Sequence, residues 1–284
     1  MLLAEAHLIA NRASSARTLV QALAVLREMP LDDFGMLLLE PEQYPKLQPL
    51  LPSMASAAAQ EQWAGASGTT LLGQSVSVMR SLESLHARHR GSSLHGKRIL
   101  DFGCGWGRLL RLALYYSDPE FLHGVDPWDE SIRLCREHRV PGEILQCDYL
   151  PVRLPTSSPF DVAFAFSVFT HLSERAMLCA LRALRSSAAP GGTLFFSIRP
   201  VEYWHHHQQF HARSRDQMFD EHAKRGFAYQ PHGNIVVDGE ATYGDTSMTH
   251  AFAREALRQT GWKWLGADRS MIDPFQTLIA ASAE

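Results

Sequence analysis

Lys97-Arg-Ile-Leu-Asp-Phe-Gly-Cys-Gly-Trp-Gly-Arg108 decides the fold of this chain. It reads as a short strand running into a glycine-rich turn and then a helix. Gly103, Gly105 and Gly107 permit tight backbone angles and let a ligand approach the main chain without Cβ obstruction. Asp101 closes the strand with a carboxylate. That choice suits a ligand with a cationic end, such as the amino group of an amino-acid moiety, and is wrong for a pyrophosphate.

Working outward, Asp126 ends the next strand about twenty residues beyond the glycines, where a carboxylate can accept hydrogen bonds from both ribose hydroxyls. A dinucleotide-binding GxGxxG motif would need glycine at position 108, but the residue is Arg108 and the pattern is GxGxG. This turns the reading away from NAD. Apolar runs alternating with helical stretches predict strands near Arg98 to Phe102, Leu122 to Asp126, Glu143 to Cys147, Phe160 to Phe166 and Thr193 to Ile198. The intervening helices are predicted near Trp106 to Tyr116, Asp129 to His138 and Glu174 to Ser187, and the turn Pro190-Gly-Gly192 ends the last helix. Repeated βα units of this kind build a mainly parallel sheet.

Ahead of this core, Leu2 to Met29 has the spacing of one or two amphipathic helices. Pro30, Pro41, Pro45, Pro49 and Pro52 predict irregular connection with at most a short helix. Helical character resumes at Met54, is interrupted at Gly65-Ala-Ser-Gly68, and continues from Leu71 to Arg88. Beyond the core, Pro200 to Met248 is too long for a simple connection and reads as a functional insertion. Asp238-Gly239 within it is a hairpin signal. A helix near His250 to Thr260 and strands near Trp262 to Ala267 and Gln276 to Ala281 complete the pattern.

The 284 residues are 45% hydrophobic and 20% charged, with a net charge of −3, so no general basic field for nucleic acid is present. Cys104, Cys135, Cys147 and Cys179 form no CxxC pair, which argues against a zinc knuckle and fits a reduced, cytoplasmic setting. The opening residues lack a basic region and a long apolar run, so secretion is not expected. The most apolar internal stretch, Val162 to Phe169, is far below the roughly 18 residues needed to span a bilayer. His205-His-His207 invites a metal reading, but three adjacent side chains do not share one face, and no metal is expected.

The stretch from Lys97 to Pro200 closely resembles class I S-adenosylmethionine-dependent methyltransferases. The resemblance rests on the glycine turn, on Leu122-His-Gly-Val-Asp126, on Leu145-Gln-Cys-Asp148, on the region Phe160 to Leu172, and on Pro190-Gly-Gly-Thr-Leu-Phe-Phe196. It implies a doubly wound, mainly parallel seven-stranded α/β sheet with S-adenosyl-L-methionine as cofactor. An N-terminal helical region or lid is expected over 1–95 and a methyltransferase core over 96–284, with 200–248 a substrate-side insertion. By the same resemblance Asp101, Gly103, Gly105 and Gly107 receive the methionine part and Asp126 the ribose. Asp148 approaches the adenine amino group, Tyr149 or Trp128 covers the adenine, and Ser167 lines the pocket near the sulfonium.

Methyl transfer is an in-line displacement, so alignment and exclusion of water carry most of the rate. An alcohol acceptor must also lose a proton, which makes His171 the expected catalytic base. The insertion residues His222, Phe227, Tyr229, His232, Tyr243, Gly244 and Asp245 could form a polar aromatic acceptor pocket. Trp63 and Gly65 to Gly68 could let an N-terminal lid close. The expected activity is methylation of a small molecule, with oxygen the favoured acceptor atom and a homo-oligomer left open. The rivals are an NAD(P)-dependent oxidoreductase and a noncatalytic interaction protein that keeps the fold.

Overall fold

The computed structural model describes residues 4–208, 210, 213–233, 235–269, 273 and 275–284. Contacts divide the chain into two compact units, Met1–Gln146 and Cys147–Glu284. In the first unit the N-terminal region forms α1 (Ala4–Ala13), α2 (Leu19–Leu26), α3 (Leu31–Leu39), α4 (Ala57–Ala64) and α5 (Gly68–Arg90). The expected start at Leu2 lies outside the described residues. Helix α3 is longer than the proline count predicts. Pro30 stands at its N-cap, where a missing N–H costs nothing, Asp32 and Asp33 occupy its positive first turn, and Phe34, Leu37 and Leu38 are buried.

The alternating part of the first unit follows as β1 (Ile99–Phe102), α6 (Arg108–Ala113), β2 (Leu122–Asp126), α7 (Asp129–Glu137) and β3 (Glu143–Gln146). Strand β2 pairs in parallel with β1 on one side and β3 on the other. Helix α6 begins two residues later than predicted, because Gly107 at its N-cap has φ +77° and belongs to the turn. Gly124 in β2 lets the layers close. A Cβ there would stand 2.6 Å from Leu110 of α6 and 3.0 Å from Ile144 of β3.

The second unit begins its regular structure with β4 (Phe160–Ala165), α8 (Glu174–Ser187) and β5 (Ala188–Ile198). Strand β5 starts earlier than predicted and takes the Pro190-Gly-Gly192 segment into itself, with a register irregularity against β4. The insertion supplies α9 (Tyr203–His206), α10 (Arg215–Arg225), β6 (Phe227–Pro231), β7 (Val236–Val237), β8 (Glu240–Ala241) and β9 (Gly244–Met248). The predicted hairpin is present as β7 and β8, and Asp238 and Gly239 both have positive φ, as the tight turn requires. Strands β6 and β9 pair antiparallel over a small core of Trp204, Met218 and Ala228. Helix α11 (His250–Gln259) then leads to β10 (Lys263–Asp268) and β11 (Thr277–Ser282).

Seven strands make one mainly parallel sheet, as expected. The first unit contributes β1, β2 and β3. The second contributes β4 and β5 in parallel and then β11 and β10 antiparallel to their neighbours. No helix among the described residues is long and apolar enough to cross a membrane.

Candidate functional site

In the first unit β1 delivers Asp101 to the strand end, and the chain then turns through Gly103, Gly105 and Gly107 at φ +74°, +53° and +77°. The turn is pinned to β2, since Gly103 and Cys104 donate their N–H groups to the Val125 carbonyl at 2.8 and 3.1 Å. Asp126 braces it from the other side. One carboxylate oxygen accepts from the Gly105 N–H and the other from the Trp128 N–H, each at 2.9 Å. Each oxygen keeps further acceptor capacity, which is what a pair of vicinal hydroxyls requires. Burial holds the Asp126 carboxyl above its usual range, against the smaller opposing pull of those two N–H groups.

Asp101 is 3% exposed, and burial drives its carboxyl well above the usual range, with Arg108 nearby opposing and Asp126 adding to the shift. Arg108 in turn is lowered by burial to about 10, so it stays protonated at neutral pH. The residue that breaks the dinucleotide pattern is thus the charge partner of Asp101. A buried carboxyl held in this way gains from a cationic ligand group beside it.

The N-terminal helices reach this turn. Buried Arg111 of α6 donates to the Trp106 carbonyl at 2.5 Å and to the Ser53 carbonyl at 2.8 and 3.1 Å. Helix α4, capped by Ser56 and ended by Gly65 at φ +72°, projects Trp63 over the turn. A Cβ on Gly105 would meet the Trp63 indole at 3.6 Å. Trp63 also stacks on Trp128, with ring centroids 4.6 Å apart and planes 18° apart. Trp128 is 46% exposed, a flat apolar face two residues beyond Asp126. The chemistry of this set fits S-adenosylmethionine: a buried carboxyl for an ammonium, a carboxylate for a diol, and an indole for a purine.

Other expected residues belong to the second unit. Asp148, two residues past β3, is exposed. Ser167 follows β4 with φ +60°, a conformation costly for any residue but glycine. Its N–H donates to the Ser197 hydroxyl at 2.7 Å, and its own hydroxyl accepts from Gln276 at 3.1 Å.

His171 lies in a polar cluster whose hub is Asp245 of β9. One Asp245 carboxylate oxygen accepts from Arg199 at 2.6 Å and from the Tyr203 hydroxyl at 2.8 Å. The other stands 3.2 Å from His232 Nε2 and 3.9 Å from His207 Nε2. Burial opposes the ionised Asp245, but His171, Arg199 and Tyr203 outweigh it and hold its carboxyl below the usual range. Arg199 also donates to His171 Nε2 at 3.1 Å. A guanidinium can only donate, so the His171 proton sits on Nδ1, where it reaches the Gly244 carbonyl at 2.8 Å. Burial first, and then Arg199, lower His171 to about 4.

The basic nitrogen of His171 is therefore engaged, and the expected base role would require Arg199 to withdraw. His171, His232 and Asp245 also offer ligating atoms within 4.8 Å of one another, a two-histidine, one-carboxylate set. The Arg199 guanidinium donates to two members of this set, Asp245 and His171. The sequence reading named His232, Tyr243 and Asp245 without assigning a hub, weighed His207 only within the His205-His-His207 run, and missed Arg199 and Tyr203. Their signal was weak, because they meet through the β9 backbone: Gly244 donates to the His171 carbonyl at 2.8 Å and Met248 to the Arg199 carbonyl at 3.0 Å.

Comparison with known proteins agrees with the architecture. Residues 99–192 match the methyltransferase domain family. The ubiquinone biosynthesis O-methyltransferase of Neisseria meningitidis serogroup C is 30% identical over 122 residues, covering 40% of this chain and 50% of that protein. Its counterpart in Bordetella bronchiseptica is 34% identical over 110 residues, covering 37% and 44%. The chain thus spans about half the length of the curated relatives it matches. An S-adenosylmethionine-dependent methyltransferase from Clostridium acetobutylicum shares the fold at TM-score 0.52 and 11% identity, covering 79% of this chain and 96% of that one. Another from Mesorhizobium loti does so at 0.51 and 16%, covering 74% and 97%. Residues 99–192 thus match a methyltransferase domain, and the fold is the one shared by those S-adenosylmethionine-dependent methyltransferases.

Proposed function

We propose that this chain is an S-adenosylmethionine-dependent methyltransferase acting on an oxygen atom of a small molecule. The observation that carries the reading is the brace at the glycine turn, where one buried carboxylate, Asp126, fixes the backbone of Gly105 and of Trp128 together. When bound, the cofactor supplies an electrophilic methyl group on a sulfonium. Asp101 receives its ammonium, Asp126 its ribose hydroxyls, and the Trp128 indole the purine. Trp63 excludes water from the turn and gives way as the ligand enters. The roles for Asp148 and Ser167 rest on the family resemblance alone.

Oxygen as the acceptor atom is supported by the O-methyltransferase relatives. The experiment is a pair of titrations of the full chain with S-adenosylhomocysteine and with NAD, followed by thermal unfolding and tryptophan fluorescence. A ligand that binds the native state stabilises it by about 2.7 kcal/mol at a hundredfold excess over Kd. S-adenosylhomocysteine should raise the melting temperature and change the fluorescence of the Trp63 and Trp128 pair, and NAD should do neither. The reverse outcome would return the chain to the oxidoreductases.

A further inference from the structure

The second unit carries a set of side chains to which the proposed cofactor roles assign nothing. His171 from the loop after β4, His232 after β6 and Asp245 of β9 each bring one ligating atom within 4.8 Å of the other two. Arg199 and the Tyr203 hydroxyl hold Asp245 Oδ1, and the second oxygen, Oδ2, stands 3.2 Å from His232 Nε2. Around a tetrahedral ion bonded to nitrogen and oxygen at about 2.0–2.1 Å, neighbouring ligand atoms are about 3.3 Å apart. This pair is therefore at ligand spacing. His171 is oriented as ligating imidazoles are, since its Nδ1–H donates to the Gly244 carbonyl at 2.8 Å and the lone pair is left on Nε2. His207 repeats that arrangement beside them. The single hydrogen of the Tyr203 hydroxyl goes to Asp245 at 2.8 Å, so the hydroxyl accepts from His207 Nδ1 at 3.0 Å, and His207 Nε2 stands 3.9 Å from Asp245 Oδ2.

We propose that His171, His232 and Asp245 form a binding site for a divalent ion of the zinc class, with two imidazole nitrogens and one carboxylate oxygen as its protein ligands. The site lies wholly within the second unit and does not depend on the proposed methyl transfer. Imidazole suits zinc, cobalt, nickel and copper, whereas magnesium and calcium take oxygen ligands, so the donor set selects the first group. Three protein ligands leave a position open, the form of zinc sites that bind water or a substrate rather than of closed structural ones. Arg199 is the competitor for this site. Its Nη1 donates to Asp245 Oδ1 at 2.6 Å and to the Thr170 carbonyl at 3.1 Å, while its Nη2 donates to His171 Nε2 at 3.1 Å. Because the contacts use different nitrogens, the ion displaces one hydrogen bond, at His171. Nη1 and Tyr203 go on orienting the carboxylate as outer partners. The guanidinium charge opposes the ion and makes the affinity weaker than the donor set alone would give.

The test uses the full chain and metal salts alone. Cobalt(II), followed by its visible absorption, should saturate a site of one equivalent per chain, and zinc should displace it. Magnesium and calcium should leave the spectrum unchanged. Even an outer partner of a ligand is worth about 10–100-fold in metal affinity, so His232→Gln, His171→Gln and Asp245→Asn should each weaken cobalt binding by about 100-fold or more. His205→Gln with His206→Gln, on the neighbouring histidine run, should leave it as it was. Arg199→Gln should tighten it by about tenfold, because a positive charge is removed beside the ion. Pulsed electron paramagnetic resonance of the copper(II)-loaded wild type counts bound imidazoles without any substitution and should find at least two. Circular dichroism of each variant without metal establishes that it is folded. A wild-type chain that binds no cobalt at large excess overturns the proposal, as does a copper spectrum with fewer than two imidazoles. Binding that survives His232→Gln, or that disappears with the His205 and His206 pair, assigns the ion to the surface run and overturns it as well. Unchanged or weaker binding in Arg199→Gln overturns the exchange at His171.

Discussion

The glycine turn and the Asp245 cluster are both buried polar constellations, but they are assembled in opposite ways. Asp101, Gly103, Gly105, Gly107 and Asp126 sit on two adjacent parallel strands and the turn between them, and most of their hydrogen bonds link neighbouring backbone. The cluster gathers His171, Arg199, Tyr203, His207, His232 and Asp245 from a loop, a strand end, a short helix and an insertion hairpin. In the turn, conformation does the work, and the side chains can be few. In the cluster, backbone pairing with β9 brings distant segments together, and one carboxylate accepts from several donors at once. The turn should accordingly fail through strain and the cluster through uncompensated charge.

The largest expected effect follows from that second half. Arg199 and Asp245 are 12% and 8% exposed at their side chains, so Asp245→Ala strands a buried guanidinium. Removing one partner of such a pair costs about 3–5 kcal/mol. Urea unfolding should show this loss, and replacing both partners, as Arg199→Met with Asp245→Leu, should recover part of it. Because the folded Asp245 carboxyl is depressed, its contribution is present above an unfolded value near 3.9 and is lost as the pH falls through the folded value. A loss below about 1 kcal/mol at pH 7 would show that the hub carries no stability.

The same contrast explains what was legible. The core strands, the glycine turn, the strand-end position of Asp126 and even the Asp238-Gly239 hairpin are written in contiguous residues with period, turn chemistry and spacing, and the structure has them close to where they were read. Helix α3 was underestimated because proline counting ignores how readily a helix starts after Pro30. Trp63 lies far ahead of the turn, and only packing of α4 brings it over Gly105. His171 was found by its position after β4, yet its chemistry depends on Arg199, a residue whose sequence context is an ordinary strand end. Local signals thus gave the glycine turn, and the Asp245 cluster depends on long-range contacts that leave no periodic trace.

Within the turn, strain should separate glycines that look equivalent in the sequence. At Gly107 a Cβ would lie 2.7 Å from Val140 on a backbone at φ +77°. Overpacking and a left-handed conformation each cost about 1–3 kcal/mol, so Gly107→Ala should destabilise by about 2–4 kcal/mol. At Gly105 the nearest contact, Trp63 at 3.6 Å, is an ordinary one, and Gly105→Ala should cost about 1–2 kcal/mol. Equal melting temperatures for the two variants would remove the distinction. Asp126→Ala probes ligand binding at the same turn. Losing hydrogen bonds to a charged acceptor should weaken S-adenosylhomocysteine by about 1.5–3 kcal/mol in calorimetry, and an analogue without ribose hydroxyls should be nearly indifferent to the change.

The smallest effect, and the one of opposite sign, is expected at Asp101. Its folded carboxyl is raised well above 3.8, chiefly by burial, so the folded chain binds a proton that the unfolded chain releases. Folding stability is therefore full below the unfolded pKa and declines as the pH rises through the window between the unfolded and folded values. Asp101→Asn carries no such proton and should lose nothing over that window. At pH 3 the two proteins should melt alike, and at pH 7 the variant should melt higher. Arg108 works against this outcome, since it favours the ionised carboxyl, but burial is the larger influence on Asp101. The same substitution removes the carboxyl proposed to receive an ammonium, so S-adenosylhomocysteine should bind the stabilised variant more weakly than the wild type, with proton release on binding measurable in the wild type alone. If Asp101→Asn lowers the melting temperature at pH 7, the Arg108 ion pair outweighs burial, and the carboxylate at the end of β1 is a structural partner of that arginine before it is a ligand group.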